Sequence, residues 1–420
     1  MTEHPVQLIV EDDLRRSRLT VFFRLLLAIP HLIWVFLWSI GVFFAAIANW
    51  IVTLIAGRPA ASLHQFLSAY VRYLAHLYAY LWLVANPYPG FVGEEGTYPI
   101  DVRLPPPQAQ SRWKTLLRIV LALPTLALAS ALGSPGGIAS GSGGSRRSYS
   151  YNASGLGAAV GVLGWFASLV RGRMPKGLRD AGAYSVGYNA QALAYLLLLT
   201  DRYPDADPTA MLAGVERPPV HPVHLLGDAR DLRRSRVTVF FRLLLALPHL
   251  VWLTLWSIAA IVVAILNWFA TLFAGTPVRS FHEFLTRYVR YSLHVAAFLY
   301  LAANPFPGFT GEAGAYPLDL EIPERARQNR WKTGFRVILA VPAVVVNSAL
   351  GSALFIAAVF TWFVALVRGS APWGLRNLSA YALRYSAQLY AYLFLLTDAY
   401  PHASPLEGAP PEQIAFDETA

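Results

Sequence analysis

One long basic, aromatic and proline-containing segment occurs twice in this chain. Residues 14–34 read LRRSRLTVFFRLLLAIPHLIW, and residues 232–252 read LRRSRVTVFFRLLLALPHLVW. The segments that follow repeat at the same offset, including ANPYPGFVGEEGTYPID from Ala85 and ANPFPGFTGEAGAYPLD from Ala303. The chain is therefore a tandem duplication, and any fold that it adopts has to be built from repeated units.

A weaker repeat lies within each half. SRWKTLLRIVLALP from Ser111 parallels SRLTVFFRLLLAIP from Ser17, and AYLLLLTDRYP from Ala194 parallels AYLWLVANPYP from Ala79. These matches predict four quarter-repeats and a disordered tail. The predicted segments are quarter A at 1–110, quarter B at 111–215, quarter A′ at 216–328, quarter B′ at 329–405 and the tail at 406–420. Quarter B also carries a Gly/Ser-rich insertion at 133–155, which we interpret as a flexible exposed loop.

The composition of the chain is typical of a membrane protein. Of its 420 residues, 55% are hydrophobic and only 14% are charged, and the mean hydropathy is +0.43. Apolar stretches at 33–56, 250–274 and 337–367 reach the roughly 20 residues that an α-helix needs to cross the hydrocarbon core. The predicted fold class is an all-α polytopic membrane protein, in which each quarter contributes an interfacial helix and a transmembrane hairpin.

The sequence leaves the number of membrane crossings open. Short strand-like segments begin at Val6, Tyr98, Val223 and Tyr316, and the second and fourth alternate apolar with polar residues. We expect them to form a small extramembrane sheet, which requires them to lie on one side of the bilayer and favours eight crossings. The insertion in quarter B argues against this, because a polar Gly/Ser stretch cannot lie in hydrocarbon. Either the helix before it is shallow or re-entrant, or there are twelve crossings, and we prefer eight.

The charge distribution predicts the location of the chain in the cell. The basic residues near the strand-like segments outnumber those at the hairpin turns, so the positive-inside rule favours cytoplasmic termini. The acidic start MTEHPVQLIVEDD lacks the basic and apolar regions of a signal peptide, so we expect the first apolar segment to insert uncleaved. The expected location is the bacterial cytoplasmic membrane, with multiple passes.

The repeat motifs resemble a known family. FRLLLAIPH, followed by NWIVTLIAGRP or GWFASLVRGRMPKGL and then by AYLLLLTDRYP, is similar to a bacterial, largely actinobacterial membrane family named only as domain of unknown function 4389. The resemblance covers nearly the whole chain as tandem copies. The A quarters depart from it by reading ANPYPGF where the family pattern has TDxYP. The resemblance implies a membrane protein and supplies no activity.

Four polar residues occupy one equivalent position in the second apolar segments of the quarters. These residues are His76, Gln191, His294 and Gln388. Strongly polar groups are costly inside a membrane span, so a ring of them around a pseudo-axis is a candidate functional site. Alternatively, each residue ties neighbouring helices together by hydrogen bonds, and this is the interpretation that we favour.

Arginines supply the candidate contacts to anions or lipid headgroups. Two lie before the repeated proline of every quarter, and three more lie one helical turn before the polar position. The candidates are Arg18, Arg24, Arg112, Arg118, Arg236, Arg242, Arg330, Arg336, Arg72, Arg290 and Arg384. Arginines on an apolar segment in the headgroup layer attract anionic lipid. Those of the second group could bind a phosphate or carboxylate, pair with a backbone carbonyl or snorkel to the headgroups, and we favour snorkelling.

The repeated prolines are expected to turn the chain from an interfacial segment into a span. They are Pro30, Pro124, Pro248 and Pro342. A proline removes one backbone donor and can bend or end a helix. His31 and His249 follow it only in the A quarters, so either those quarters face a different environment or these histidines have no particular role.

No catalytic or metal-binding motif occurs in the chain. The absence of cysteine excludes disulfides, thiolate metal sites and cysteine nucleophiles. HExxH, P-loop and GxSxG motifs are also absent, so no cofactor or metal is expected. We interpret the carboxylates of Glu94, Glu95, Asp101, Glu312 and Asp319 as solvated turn residues. The net charge of +10 suits anionic membrane lipids better than nucleic acid, for which no motif is found.

The leading functional hypothesis is a non-enzymatic membrane protein that acts as a lipid-contacting scaffold or a partner-binding component. The alternative is a transporter or channel whose path runs past His76, Gln191, His294 and Gln388, because repeats are common in transporters. An enzyme that acts on lipid headgroups ranks third.

Overall fold

The computed structural model describes residues 3–133, 155–226 and 232–408. Nearly all of the predicted Gly/Ser insertion and of the predicted tail therefore lies outside the described residues. The described chain forms two compact units. Unit 1 consists of the residues up to Glu216 with Ser404–Leu406, and unit 2 consists of the residues from Arg217 to Ala403 with Glu407 and Gly408.

The described chain is mostly helical, and each quarter has the same series of helices. Helices of five residues come first: α1 (Arg18–Phe22), α4 (Arg112–Leu116), α9 (Arg236–Phe240) and α12 (Arg330–Gly334). Long apolar helices follow: α2 (Arg24–Ala56), α10 (Arg242–Ala274) and α13 (Arg336–Arg368), with α5 (Arg118–Gly133) and α6 (Leu156–Arg171) in quarter B. Helices of 21 residues end the series: α3 (Ala61–Leu81), α7 (Lys176–Leu196), α11 (Arg279–Leu299) and α14 (Trp373–Leu393). A short helix, α8 (Pro208–Met211), closes unit 1.

The repeated prolines lie inside helices, so the prediction that they turn the chain is wrong. Pro30, for example, is part of α2, which continues unbroken to Ala56. Proline removes only the hydrogen bond to the carbonyl four residues earlier, and its fixed φ is compatible with helix. The break between short and long helix lies earlier, at residues whose ψ is close to zero. These residues are Phe23, Leu117, Phe241 and Phe335.

Strands form at all four predicted positions, but they form two sheets and not one. The strands are β1 (Gln7–Val10), β2 (Ile100–Arg103), β3 (His224–Leu226) and β4 (Asp319–Glu321). β1 pairs antiparallel with β2, placing Leu8 opposite Val102, and β3 pairs antiparallel with β4, placing Leu225 opposite Leu320. The expectation of one shared sheet is therefore wrong among the described residues, because each strand pairs within its own unit.

The 21-residue helices form the centre of each unit. In unit 1, α3 packs against α7, and the long helices α2, α5 and α6 pack against this pair. Unit 2 repeats the arrangement with α11 and α14 against α10 and α13. Small residues on α7 allow close approach, since a Cβ at Gly182 would lie 2.6 Å from a Val84 methyl carbon.

The two quarters of a unit exchange equivalent hydrogen bonds. Trp50 of quarter A donates from Nε1 to the Thr115 carbonyl in quarter B, at 2.8 Å. Trp165 of quarter B donates in return to the Val21 carbonyl in quarter A, at 3.0 Å. Unit 2 makes the same exchange through Trp268 with Thr333 and Trp362 with Val239. Because each long helix is joined to the short helix of the other quarter, the pair of quarters packs as one unit.

Three described helices are long and apolar enough to cross a membrane. They are α2, α10 and α13, each of 33 residues, or about 50 Å along the axis. Most residues of their apolar windows are not buried in this structure. A protein surrounded by water would bury such surface, so these helices are compatible with a membrane protein.

Candidate functional site

Every 21-residue helix is followed by a leucine in the left-handed backbone conformation. The φ angles are 60° at Leu83, 62° at Leu198, 59° at Leu301 and 64° at Leu395. A bulky residue rarely adopts this conformation, and it persists only where its surroundings hold it. A long polar side chain donates to each leucine carbonyl: Arg16 to Leu83, Gln110 to Leu198, Arg234 to Leu301 and Gln328 to Leu395. The leucine that follows each of the four 21-residue helices is therefore held by a hydrogen bond from a long polar side chain.

A buried arginine lies beside each of these helix ends. Its guanidinium carbon is 4.1 to 4.5 Å from the centre of an aromatic ring, a cation–π distance. The pairs are Arg24 with Tyr80, Arg118 with Tyr195, Arg242 with Phe298 and Arg336 with Tyr392. Each arginine is only 1% exposed. Carbonyls beyond the helix ends accept their hydrogen bonds, so these four guanidinium groups bind the protein itself, and their contact with lipid headgroups stays a prediction.

The buried arginines of the A and B quarters differ in their counter-ions. In the B quarters a carboxylate pairs with the guanidinium: Asp201 lies 3.1 Å from Arg118, and Asp398 pairs with Arg336. Asn86 and Asn304 occupy the equivalent positions in the A quarters. Arg24 donates from Nη2 to the Ala85 carbonyl at 2.7 Å, while its Nε and Nη1 atoms have no hydrogen-bond partner among the described residues.

Arg242 of quarter A′ is in the same state. Its Nη2 atom lies 3.3 Å from the Asn304 side-chain oxygen, and its Nε and Nη1 atoms have no partner in the described chain. The two A quarters therefore each contain a buried cation without a carboxylate. The departure from TDxYP to ANPYP and ANPFP was the sequence signal for this difference.

The arginine that begins each five-residue helix is exposed, as the prediction of lipid contacts requires. These residues are Arg18, Arg112, Arg236 and Arg330. Arg18 donates one hydrogen bond to the Val170 carbonyl at 3.0 Å, and Arg112 donates one to the Ile55 carbonyl at 2.9 Å. Both acceptors lie at the C-terminus of a long helix, where cations are favourable.

The candidate His76 forms a buried pair with an aspartate that sequence reasoning treated as solvated. Its Nε2 atom lies 2.8 Å from Oδ1 of Asp101 in β2. Asp101 also accepts hydrogen bonds from the backbone N–H groups of Gly96 at 2.6 Å and Val102 at 2.7 Å. The ring of Tyr98 stacks on His76 with 4.9 Å between ring centres. This cluster joins α3 to the sheet.

Unit 2 contains the same cluster. His294 lies 3.0 Å from Asp319, which accepts from the backbone of Gly314 and Leu320. Asp101 and Asp319 are 2% and 4% exposed, so their interpretation as solvated turn residues is wrong. The separation of 25 residues between histidine and aspartate recurs in both halves and was the available signal.

The carboxyl groups of the two clusters are held in the charged form. Burial raises the pKa of Asp101. Hydrogen bonds from His76, Gly96 and Val102 together lower the pKa by more than burial raises it, so the pKa lies below its usual value. The pKa of Asp319 is lowered in the same way against the effect of burial.

The remaining candidate arginines, Arg72, Arg290 and Arg384, also contact groups of the protein. Arg72 donates to the carbonyls of Gly93 and Val102 and to Glu95, at 3.1, 3.2 and 3.0 Å. Arg290 lies 3.1 Å from Asp319, and alanine replaces the glutamate in unit 2. In the same unit, Arg384 lies 3.6 Å from Glu407. Internal carboxylates therefore act as the anions for these three residues.

The two candidate glutamines hold the start of the first strand in each unit. Gln191 donates to the Val6 carbonyl at 3.0 Å and accepts from the Asp205 N–H at 2.9 Å. Gln388 donates to Val223 and accepts from His402 in the same manner. In each unit, the histidine and the glutamine thus bind the two strands of one sheet. A ring formed by all four residues stays a prediction.

The family model for Domain of unknown function (DUF4389) matches four ranges of the chain, 18–92, 150–206, 236–310 and 330–404. Together they include more than half of its residues. The chain belongs to the DUF4389 family. No curated protein and no solved structure matches the chain. The four DUF4389 matches confirm the internal repeats and the resemblance that the motifs indicated.

The histidines specific to the A quarters explain part of the difference between DUF4389 copies. His31 Nδ1 lies 2.7 Å from the Tyr73 hydroxyl, and its ring stacks on Phe91 at 4.3 Å. His249 makes the same contacts with Tyr291 and Phe309. These histidines therefore bind the ANPYPGF and ANPFPGF loops, which the B quarters lack.

No cluster of metal-binding side chains is present in the described parts of this DUF4389 chain. Groups of three or more His, Asp or Glu residues with suitable placement do not occur there. Two polar arrangements recur in both units, the buried arginines beside the helix ends and the His–Asp pairs, and they bind helix ends and strands.

Proposed function

We propose that this DUF4389 protein is a non-enzymatic, multi-pass protein of the bacterial cytoplasmic membrane that acts as a scaffold in contact with anionic lipids. The observation that carries the proposal is the exposed arginine at the start of each five-residue helix. In each case large apolar side chains lie exposed next to it, including Leu19, Trp113 and Trp331.

Such elements suit the boundary between headgroups and acyl chains. The apolar side chains favour the acyl region, and the guanidinium groups attract anionic headgroups at about 1 kcal/mol per basic residue. Four equivalent elements add these contributions. Arg18 and Arg112 already lie at the C-termini of long apolar helices, where a membrane surface would be expected.

We propose eight crossings, two from each predicted quarter. In each quarter a long helix or its two parts precedes a helix of 21 residues, about 31 Å in length, although among the described helices α2, α10 and α13 alone are also apolar enough to cross. The hydrogen bond from Arg112, which follows β2, to the Ile55 carbonyl near the end of α2 counts against a return of the chain to the side where α2 begins. The charge distribution favours the cytoplasm for both termini.

The alternative function, transport past the four candidate polar residues, has less support. Gln191 and Gln388 use both atoms of their amide groups for bonds within their own units. His76 and His294 are paired with buried aspartates. A transported solute would have to compete with these bonds.

Lipid analysis of purified protein tests the proposal. The substitutions Arg18→Gln, Arg112→Gln, Arg236→Gln and Arg330→Gln, made together, should lower the ratio of anionic to zwitterionic lipid that co-purifies by several-fold. The matched control replaces the same four arginines with lysine and should keep the ratio, because it keeps the charge. An unchanged ratio in the glutamine variant would contradict a scaffold that depends on anionic lipid.

Cysteine labelling tests the number of crossings. The chain has no native cysteine, so single substitutions at Arg58 and Glu94 can be labelled without background. Eight crossings require these two sites to react from opposite sides of the membrane. Labelling of both from the same side would contradict the hairpin arrangement of quarter A.

A further inference from the structure

A groove of about 450 Å³ lies beside Arg24 in unit 1. Its walls come from the start of α2, the end of α3 and the middle of α6. Apart from Arg24 the lining is apolar and includes Leu25, Trp82, Val162 and Trp165. The volume is within the range of roughly 300–1,000 Å³ that small-molecule sites occupy.

Arg24 brings an uncompensated charge to this groove. It is 1% exposed, and its Nε and Nη1 atoms have no hydrogen-bond partner among the described residues. No carboxylate of the described chain forms an ion pair with it. A buried guanidinium without a counter-ion is strongly unfavourable, so an external anion would stabilise this site.

The B quarters have a carboxylate beside the equivalent arginine, and quarter A lacks it. There, Asp201 pairs with Arg118 and Asp398 pairs with Arg336 at the position that Asn86 occupies in quarter A. The fold therefore accommodates a carboxylate beside this arginine in the B quarters. In quarter A the neutral side chain of Asn86 stands there, and its Oδ1 atom has no hydrogen-bond partner among the described residues.

The floor of the groove depends on small residues of α6. A Cβ at Gly161 would already lie 3.3 Å from the Cα atom of Trp82. Trp165 and Trp362 make the same hydrogen bond in their units, and aligning them places Phe355 of unit 2 at the position of Ala158. Unit 1 thus has the smaller side chain at this part of the wall.

We infer that this groove binds one anionic phospholipid. Its phosphate pairs with the guanidinium of Arg24, a lining residue of the groove whose planar group matches phosphate oxygens, and an acyl chain lies along Trp82, Val162 and Trp165. The inference rests on the proposed contact with lipid and adds a single, defined site. The apolar walls favour a phospholipid over free phosphate.

Native mass spectrometry of the full chain tests this site. Delipidated protein in mild detergent is titrated with phosphatidylglycerol or with phosphatidylcholine of the same acyl chains. One phosphatidylglycerol should bind at least tenfold more tightly than phosphatidylcholine. The variant Asn86→Asp, which places a carboxylate where quarter B has one, should lose this preference, and Ala158→Phe should weaken binding of both lipids.

Asn304→Asp is the matched control, because it makes the same change in unit 2 and should leave binding in unit 1 unchanged. Thermal unfolding of each variant checks that it is folded. Equal affinity of wild type and Asn86→Asp for phosphatidylglycerol would overturn the inference. Inorganic phosphate that competes as strongly as the lipid would also overturn it, because the acyl chain would then contribute nothing.

The outcome is separable from that of the proposed scaffold function. Glutamine at the four exposed arginines should change the overall lipid ratio and leave the single tight lipid in place. Asn86→Asp should remove the tight lipid and leave the ratio unchanged. Failure of one result therefore does not imply failure of the other.

Discussion

Nε2 of His76 lies 2.8 Å from Oδ1 of Asp101, although the two residues are 25 positions apart and belong to a helix and a strand. The contact connects the core helix α3 to β2. Because β2 pairs with β1 at the start of the chain, one buried hydrogen bond links both strands to the helical core. Unit 2 repeats the relationship with His294 and Asp319.

Asp101→Asn should destabilise unit 1. The neutral amide weakens the charge-assisted bonds from His76, Gly96 and Val102, and the expected loss is about 1–3 kcal/mol. Thermal unfolding in detergent measures it. Asp319→Asn should behave alike in unit 2, while the exposed control Glu94→Gln should change little. Equal melting temperatures for Asp101→Asn and the control would show that the cluster is not structural.

The two buried aspartates, Asp101 and Asp319, also predict that the stability of the fold depends on pH in the acid range. Since the folded pKa of Asp101 and Asp319 is lowered, folding favours the charged form. Their contribution is complete above the unfolded pKa of about 3.9 and is lost as pH falls through the lower folded pKa. Melting temperature should therefore fall less steeply below about pH 4 in the double variant Asp101→Asn, Asp319→Asn than in wild type. Parallel curves would contradict this.

Two histidines next to the strands predict a second transition near neutral pH. Burial lowers the pKa of His4 and His221, and the backbone N–H groups of Val6 and Val223 donate to their Nδ1 atoms. The neutral form is favoured on folding. Stability is thus complete above the unfolded pKa of about 6.5 and falls as pH drops from there towards the folded pKa.

Asparagine keeps an acceptor at these positions and does not titrate. The double variant His4→Asn, His221→Asn should therefore show a flatter melting temperature between pH 7.5 and pH 5 than wild type. A variant with the same slope as wild type would place the titrating groups elsewhere.

The carboxylates of the B quarters should matter for stability. Asp201→Asn leaves Arg118 buried without its counter-ion and also removes the 2.9 Å contact from Lys114. Because Asp201 is partly exposed, the expected cost is about 1–3 kcal/mol, below that of a deeply buried pair. Thermal unfolding measures the loss. Glu312→Gln, an exposed residue, is the comparison, and an equal effect in both would contradict a structural ion pair.

The sequence predicted the repeats, the helices and the strand positions because those features are local. Repeated letters set the period, and alternation at Asp101 and Asp319 marked the strands. The sequence did not predict the pairing of strands within each unit or the burial of Arg24 and its equivalents. Those outcomes depend on which carbonyls lie free at distant helix ends, and hydrophobic periodicity does not report that.

The prolines illustrate the same limit. Pro30 looked like a boundary because proline often ends a helix, yet α2 continues through it and breaks at Phe23. In contrast, the change from TDRYP to ANPYP was visible in the letters. Its meaning became clear only when Asp201 was found beside Arg118.

The left-handed leucines allow a test in which glycine and alanine exchange their usual order. Leu83 has φ of 60° and is buried, so any smaller residue loses packing worth about 2–5 kcal/mol. Alanine keeps the backbone strain, whereas glycine relieves about 1 kcal/mol of it. Leu83→Gly should therefore be more stable than Leu83→Ala by about 1 kcal/mol.

Leu67, buried inside α3, is the control position, because glycine costs about 1 kcal/mol more than alanine within a helix. Thermal unfolding of the four variants measures both differences, and the same order at both positions would mean that the helix end carries no strain.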